Sequence, residues 1–496
     1  MNKIKKISEH SQVIEKQGKQ RVPVKLHVSE ELMPDEDTID QLVNVASQPH
    51  VFKHVAALTD VHQKPGRLNP SGSVVATEKY FLPQLLDTAP NCGMRLIKTS
   101  FGEGDLDEKQ LDSLFKELVE VIPTKTYLGT FFSRRTILEV SKRGAIGVLE
   151  ALKEDVSEAD NIMQGGSMFG DEKISDKDLF DAIPRMFFRF AQLRLGILGV
   201  AGNHFLDLMK ITDIMEEDLA KKFGLKKGQY VFMMHTGSGL FGQYASYFYT
   251  PKKKEHLSQR LVLEAARLTF LNDKVEWHKQ LEIEIPRYRD SKNVFPIDSE
   301  SELGKNYYIA HRAAGNHGFA NRSVLQHHLR KALKKTLKKD PGLDLLYDMS
   351  HVFAAKENHF GKDVIVHRSN ATRANGPSRM KGTQFEKTGE PVFMPSSMST
   401  EAYFGVATDN NESTFFSAAH GTGKSKTKTS EVPSDKDELM KKMKKRNVKL
   451  YNAQSAEIVN QDAAHYKDPG VAIEGMKANG VMRPIAKMMP VSVLMA

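Results

Sequence analysis

No proline-rich or glycine/serine-rich linker and no internal repeat interrupts the 496 residues, so the chain offers no point at which to divide into independent units. A length of this order fits two to four ordinary domains or one elaborate enzyme domain. Without a linker, a single domain over 1–496 is the expectation. With 40% hydrophobic residues the chain can build a large core and is globular rather than disordered. Its single cysteine, Cys92, forbids an intrachain disulfide and makes no demand for an oxidising compartment. The thiol is left as a ligand, a nucleophile or a small buried hydrophobe. The opening MNKIKKISEHSQVIEKQGKQ is charged throughout, and no later stretch approaches 18 uninterrupted apolar residues. That excludes a signal peptide and a spanning helix, and predicts a cytoplasmic protein.

Lys plus Arg exceed Asp plus Glu by 71 to 62, a formal charge of +9, and a basic chain of this size tends to meet a polyanion such as nucleic acid. From about Gly104 to Val121, Leu106, Leu111, Leu114, Phe115 and Leu118 recur at helical intervals before Pro123, which predicts an amphipathic helix. In GQYVFMMHTGSG the apolar run Tyr230 to Met234 precedes His235 and a Gly/Ser turn; a strand is expected to deliver His235 to a loop at a sheet edge. Residues 251–340 are rich in charge and helix formers, and ANRSVLQHHLRKALKKTLKK has a 3.6 period ending before Pro341. A mainly helical segment is expected there. Between Lys424 and Lys449, ten Lys/Arg stand against four acids, and Ser434 with Asp437 has the pattern of a capping box for a short basic helix.

AAHGTGKS, Ala418 to Ser425, fits the relaxed form of a phosphate-binding loop. Such a loop needs a helix to begin at its Lys-Ser, so that helical N–H groups face the phosphates. The continuation KTKTSEVPSD has β-branched threonines, no apolar stripe and a proline, and does not supply one. The small residues serve instead to expose the ring of His420. His204 in LGVAGNHFLDL, His235 in MMHTGSG and His351 in LYDMSHVFAAKENH have comparable surroundings, and Cys92 in TAPNCGMRLIKT also lies beside glycine. LTDVHQKPG adds Asp60 and His62. A cysteine with histidines from distant segments can hold a borderline divalent metal, for which chemistry alone favours zinc. Taken singly, each of these histidines is more often a satisfied core or surface residue than a ligand, and spacing does not show that the segments meet.

In order along the chain, DVHQKPG, NCGM, GILGVAGNHFLDL, MMHTGSG, ANR, YDMSHVFAAKE, HRSNATRANGP, PSSM, AAHGTG, YKD and the closing IAKMMPVSV resemble the blocks of the RtcB family of RNA-splicing ligases over roughly residues 25 to 496. The resemblance implies an α+β fold with mixed sheets and flanking helices around a central metal and nucleotide cleft. It implies the joining of RNA 2′,3′-cyclic-phosphate or 3′-phosphate ends to 5′-hydroxyl ends, with GTP and manganese. By motif, His420 would take up GMP, while Cys92, His204, His235 and His351 would hold two ions bridged by the thiolate. Asn203 and Asp207 would lie against the nucleotide, Asp207 standing where the family usually has Glu. Ser397 and Tyr466 fall in nucleotide-contact blocks, Arg373 would hold phosphate, and Lys424 replaces the arginine that follows the family's HGAG. The implied partners are RNA ends and GTP, on a monomer and without a membrane; the need for an activating protein stays open.

The chain also departs from that pattern. Ala89 stands where the family has a metal-binding aspartate, weakening one metal position unless Asp87 replaces it; RKGATR reads RSNATR with Ser369 and Asn370; HSGSRG reads HTGSGLFG; and Met495 takes the place of a lysine facing the guanine. Two other readings keep the same residues: an RNA-end-binding protein with weakened or lost ligation, and a metal-dependent RNA phosphodiesterase using a metal-bound water, which would not need His420 as nucleophile.

Overall fold

The computed structural model describes all residues except 1–2, 88, 125–127, 200–202, 252–256, 271–275, 339, 426–431 and 454–455. Its α+β architecture rests on two large sheets. One runs in the order Ile4–Ser8, Ser11–Ile14, Val24–Leu26, Val51–His62, Ser71–Thr77, Lys362–Ser369, Val352–His359. The other runs Asp344–Ser350, Gly93–Gly102, Gln229–Thr236, Phe205–Ile214, Met482–Met495, Ala402–Ala407, Pro391–Met394, with Lys449–Tyr451 parallel to Met482–Met495. A short pair, Ala371–Arg373 with Ser417–Ala419, stands apart from both.

Burial explains the strands. All eight residues of Gln229–Thr236 are buried, as expected for a strand covered on both faces, which reads as a continuous apolar run rather than an alternation. The expectation that this strand hands His235 to an edge loop is corrected. His235 lies within the strand, paired with Met94 on one side and Phe205 on the other. With neighbours on both sides to satisfy its backbone, the ladder continues through Thr236 and the turn begins at Gly237.

The expected helix near residue 104 forms as Glu108–Val121, started by a capping box between Asp107 and Gln110 and burying Leu111, Leu114, Phe115 and Leu118. The helical segment contains Leu257–Phe270, Glu276–Arg289 and Glu302–Leu337. The last of these, 36 residues long, is buried on all sides through its middle. The basic helix is Lys436–Lys445, capped by Asp435, whose side chain accepts from the Glu438 N–H. The Ser434–Asp437 box is therefore corrected by one residue: Ser434 donates through its N–H and Oγ to the Glu438 carboxylate instead. Among the described residues no helix is long and apolar enough to cross a membrane.

Where the long helix meets the second sheet, its Arg322 converges with Arg95 on Asp348, all three fully buried. Arg322 Nη1 also donates to Asn91 O at 3.1 Å and Thr236 O at 2.7 Å. One guanidinium thus ties the turn that carries Cys92 to the end of the strand that carries His235.

Candidate active site

Four neighbouring strands of the second sheet end at one rim, and each end carries one of the expected ligands. Cys92 immediately precedes Gly93–Gly102, His204 precedes Phe205–Ile214, His235 is the penultimate residue of Gln229–Thr236, and His351 follows Asp344–Ser350. The registers Gly93↔Ser350, Met94↔His235 and Phe205↔His235 set these ends side by side. Asn91 enters the cysteine turn at φ 55°, a left-handed conformation that asparagine tolerates better than most residues. Glycine follows because a Cβ at Gly93 would meet Met349 O at 2.2 Å.

Cys92 Sγ lies 3.3 Å from His235 Nε2 and 3.5 Å from His204 Nε2, and His235 Nε2 lies 3.0 Å from His351 Nε2. His235 Nδ1 donates to Asn203 O at 2.8 Å and His204 Nδ1 to Leu198 O at 2.9 Å. These bonds place the proton on Nδ1 and turn the Nε2 lone pair inward, the state in which imidazole ligates a metal. His351 Nδ1 is buried without a hydrogen-bond partner among the described residues. Burial holds His204 down at about 4 and His235 and His351 well below the usual histidine range, and pushes the Cys92 thiol up to about 12. Neutral imidazoles and a thiol of low charge are a donor set that a cation would complete, since an ion reverses the cost of burying the thiolate. Ligand atoms of Cys92, His235 and His351 lie within 4.8 Å of one another, close enough to hold one ion; His204 reaches this set through the thiol.

His420 stands across from this cluster, its ring centre 4.5 Å from that of His351. It follows the strand Ser417–Ala419, whose partner begins with Ala371, and Ala371 N–H donates to His351 O at 2.9 Å. The carboxylate of Asp60, fully buried, accepts from His420 Nδ1 at 2.6 Å and from its backbone N–H at 3.2 Å. Nδ1 therefore carries the proton, and Nε2 presents a lone pair. Glycines let the backbone close around Asp60: a Cβ at Gly423 would meet Asp60 O at 2.3 Å, and one at Gly72 would meet Oδ1 at 2.4 Å. Lys467 Nζ donates to Thr59 O and Val61 O, on either side of Asp60, and to Leu32 O. Burial lowers this ammonium to about 8, opposed by the charge of Asp60.

The remaining expected residues divide. Asn203, whose carbonyl accepts from His235, and His204 border a cavity of about 240 Å³ with Ala89, Cys92, Arg194 and His351. Asp207 is on the same face as His235 and Phe205, pairing with Met233 and Val493; it is buried, its Oδ1 has no partner among the described residues, and desolvation raises it well above the carboxylate range. Lys424 and Tyr466 form a bridge next to His420, with Lys424 Nζ 5.8 Å from the tyrosine ring centre. Ser397 is buried and bonds Thr400, while its neighbour Ser396 bonds Thr422 of the histidine loop. Arg373 is turned onto the buried Glu390 at 2.8 Å, so its charge is already matched within the protein. Asp87 pairs with Lys64 and, at 3.7 Å, with Arg67, and accepts from Asn370 at 3.3 Å.

Local sequence groups Asp60 with His62 beside the candidate metal residues and does not show that it pairs with His420. Its pairing with His420 spans 360 positions, and only the DVH block and a glycine-flanked histidine hint at it. The functions of Arg322 and Lys467 have no signal beyond their place in the ANR and YKD blocks.

A family model described as tRNA-splicing ligase RtcB matches residues 41–496. Similar proteins include the tRNA-splicing ligase RtcB of Nanoarchaeum equitans, 28% identical with 99% of each chain covered. That of Methanococcus maripaludis is 29% identical over 96% of this chain and 95% of the relative, and that of Thermococcus kodakarensis 27% over 95% and 94%.

Proposed function

From the premise that this chain belongs to the RtcB family, a family of RNA ligases, we propose that it joins an RNA 2′,3′-cyclic-phosphate or 3′-phosphate end to an RNA 5′-hydroxyl end through a GMP adduct on His420. The observation that carries this reading is the Asp60–His420 pair. With Nδ1 donating to a buried carboxylate, Nε2 is free to attack the α-phosphorus of GTP. A P–N bond forms, the bond to the β-phosphate oxygen breaks, and pyrophosphate leaves. A 2′,3′-cyclic end must first add water across its P–O2′ bond to give the 3′-phosphate; a 3′-phosphate oxygen then attacks the GMP phosphorus as the P–N bond to His420 breaks, and the 5′-hydroxyl attacks the activated 3′-phosphorus as GMP departs. Asp60 stabilises the charge that develops on the ring, as a carboxylate does for a reacting imidazole. Asn203, Asp207, Ser397, Tyr466 and Lys424 would border the nucleotide. Cys92, His204, His235 and His351 would hold manganese, which neutralises charge on phosphoryl oxygens when bound.

Incubation with manganese and α-labelled GTP or ATP tests the reading. The expected product is a protein-bound nucleotide that is labile to acid and stable to alkali, and absent from His420→Ala. Full labelling of that variant overturns the mechanism. Ala89, and the engagement of Asp87 by Lys64 and Arg67, favour a second reading in which the protein binds RNA ends with weakened ligation. An absence of any adduct, with RNA binding intact, would select it.

A further inference from the structure

Residues 128–135, LGTFFSRR, lie along the chain that leaves the helix Arg185–Ala191. Gly129 N–H donates to Leu193 O, Thr130 N–H to Leu195 O and Phe132 N–H to Gln192 O, each at 2.8 Å. The two segments also converge through Phe180, whose ring centre is 5.6 Å from the Arg134 guanidinium and 4.8 Å from that of Arg185. The joint surface exposes large apolar side chains: Leu128 is 60% exposed, Phe131 66%, Phe190 37% and Leu193 38%. Arg134, Arg135, Arg185 and Arg189 are exposed on it as well. Acids of the adjoining helices are committed elsewhere, Glu139 and Asp176 to Lys142 and Asp181 to Lys177. Among the described residues none of the four arginines has an ion-pair partner. The surface runs directly into the active site, since Arg194 and Ile197 of the same chain segment line the cavity with Cys92, His204 and His351.

We propose that this surface is the track on which single-stranded RNA leads into the active-site cavity. The inference rests on the RNA-ligase reading and adds to it where the substrate strand lies. Unpaired guanidiniums in one group repel each other until a polyanion meets them, and phosphates match their geometry. Phe131 and Phe190 give π-faces on which bases stack whatever their sequence, the combination that single-strand binders use. A second copy presenting the same face would set arginine against arginine.

The test uses the full-length protein and a fluorescent single-stranded 5′-hydroxyl RNA oligonucleotide, with affinity measured across a salt series. Replacing Arg134, Arg135 and Arg189 together with Gln is expected to raise Kd by roughly tenfold or more, and to flatten the log-log salt slope by about 0.7 for each phosphate that is no longer neutralised. Phe131→Ala is expected to raise Kd roughly fivefold with the slope unchanged. Nucleotide labelling of His420 should persist in all variants, which separates loss of the track from loss of the fold. Wild-type affinity and slope in the labelled variants would overturn the proposal. So would a change in molecular mass by light scattering with RNA affinity unaltered, which would assign the face to a protein contact. Failure of labelling in the unaltered protein would strike at the ligase mechanism alone, because RNA affinity is read independently of it.

Discussion

In the proposed mechanism, Asp60 decides which nitrogen of His420 reacts, because its carboxylate accepts from Nδ1. Asn is nearly isosteric with Asp, but its amide can donate to Nδ1 and so draw the proton to Nε2, where the nucleophile should be. Asp60→Asn should lower the rate of His420 labelling by GTP at least about a hundredfold, within the usual range for a lost acid–base partner, at an unchanged melting temperature. An unaltered initial rate would remove the carboxylate from the mechanism. At Ala89 the expectation concerns metal. The residue borders the cavity beside Cys92 and His351, and a methyl group there offers no ligand. Ala89→Asp should tighten a second manganese ion in a metal titration, while Asp87→Ala should leave metal binding nearly unchanged. The reverse pattern, loss in Asp87→Ala without gain in Ala89→Asp, would make Asp87 the substitute ligand. The residue types of the site are legible in sequence because each sits beside glycine or in a recognisable block. What joins them is not, because the Asp60–His420 pair and the turn of Arg373 onto Glu390 depend on which strands meet.

The long helix Glu302–Leu337 and the strand Asp344–Ser350 act on the site through a buried charge cluster. Asp348 receives hydrogen bonds from both Arg95 and Arg322, and all three side chains are out of contact with water. Removing the acid leaves two guanidiniums buried without a counter-charge, and breaking such a cluster from one side costs about 3–5 kcal/mol. Asp348→Ala should therefore lower the urea midpoint by a corresponding amount, and it should loosen the Cys92 turn and the strand end bearing His235 enough to weaken metal binding. A stability equal to that of the unaltered protein would show that Arg322 is held by its carbonyl partners alone. Elements differ in how plainly they announce themselves. Glu108–Val121 is readable from its 3.6 period and its proline stop, because one face is solvated. Gln229–Thr236 reads as a strand, but one that hands His235 to a loop at a sheet edge, since a run buried on both faces carries no alternation to say how many neighbours it has or where its pairing stops.

Across the whole molecule, the absence of a linker foretells a chain that folds back on itself but not the interleaving it adopts. The first sheet takes strands from residues 4–77 and again from 352–369, and the second fills in between and beyond. Pairings at such separations follow from topology, to which local pattern is blind. The excess positive charge is also unevenly held. On the helix Lys436–Lys445, Lys442 is bound to Asp462, whereas Lys441, Lys444 and Lys445 face outward. Changing those three to Gln should weaken RNA binding and reduce the salt slope by about 0.7 for each one that meets a phosphate. An unchanged slope would make them a solvated helix face and leave the arginine surface as the main electrostatic contact.

The position of Met482–Met495 in the second sheet has a consequence for synthesis. It lies between Phe205–Ile214 and Ala402–Ala407, so strands made much earlier wait on the ribosome with a bare hydrogen-bonding edge until this one emerges. An unpaired edge of that kind recruits other chains as readily as its own. Yield in the cell should accordingly depend on how fast the later part of the message is read and on holdase chaperones that cover the Phe205–Ile214 edge in the interval.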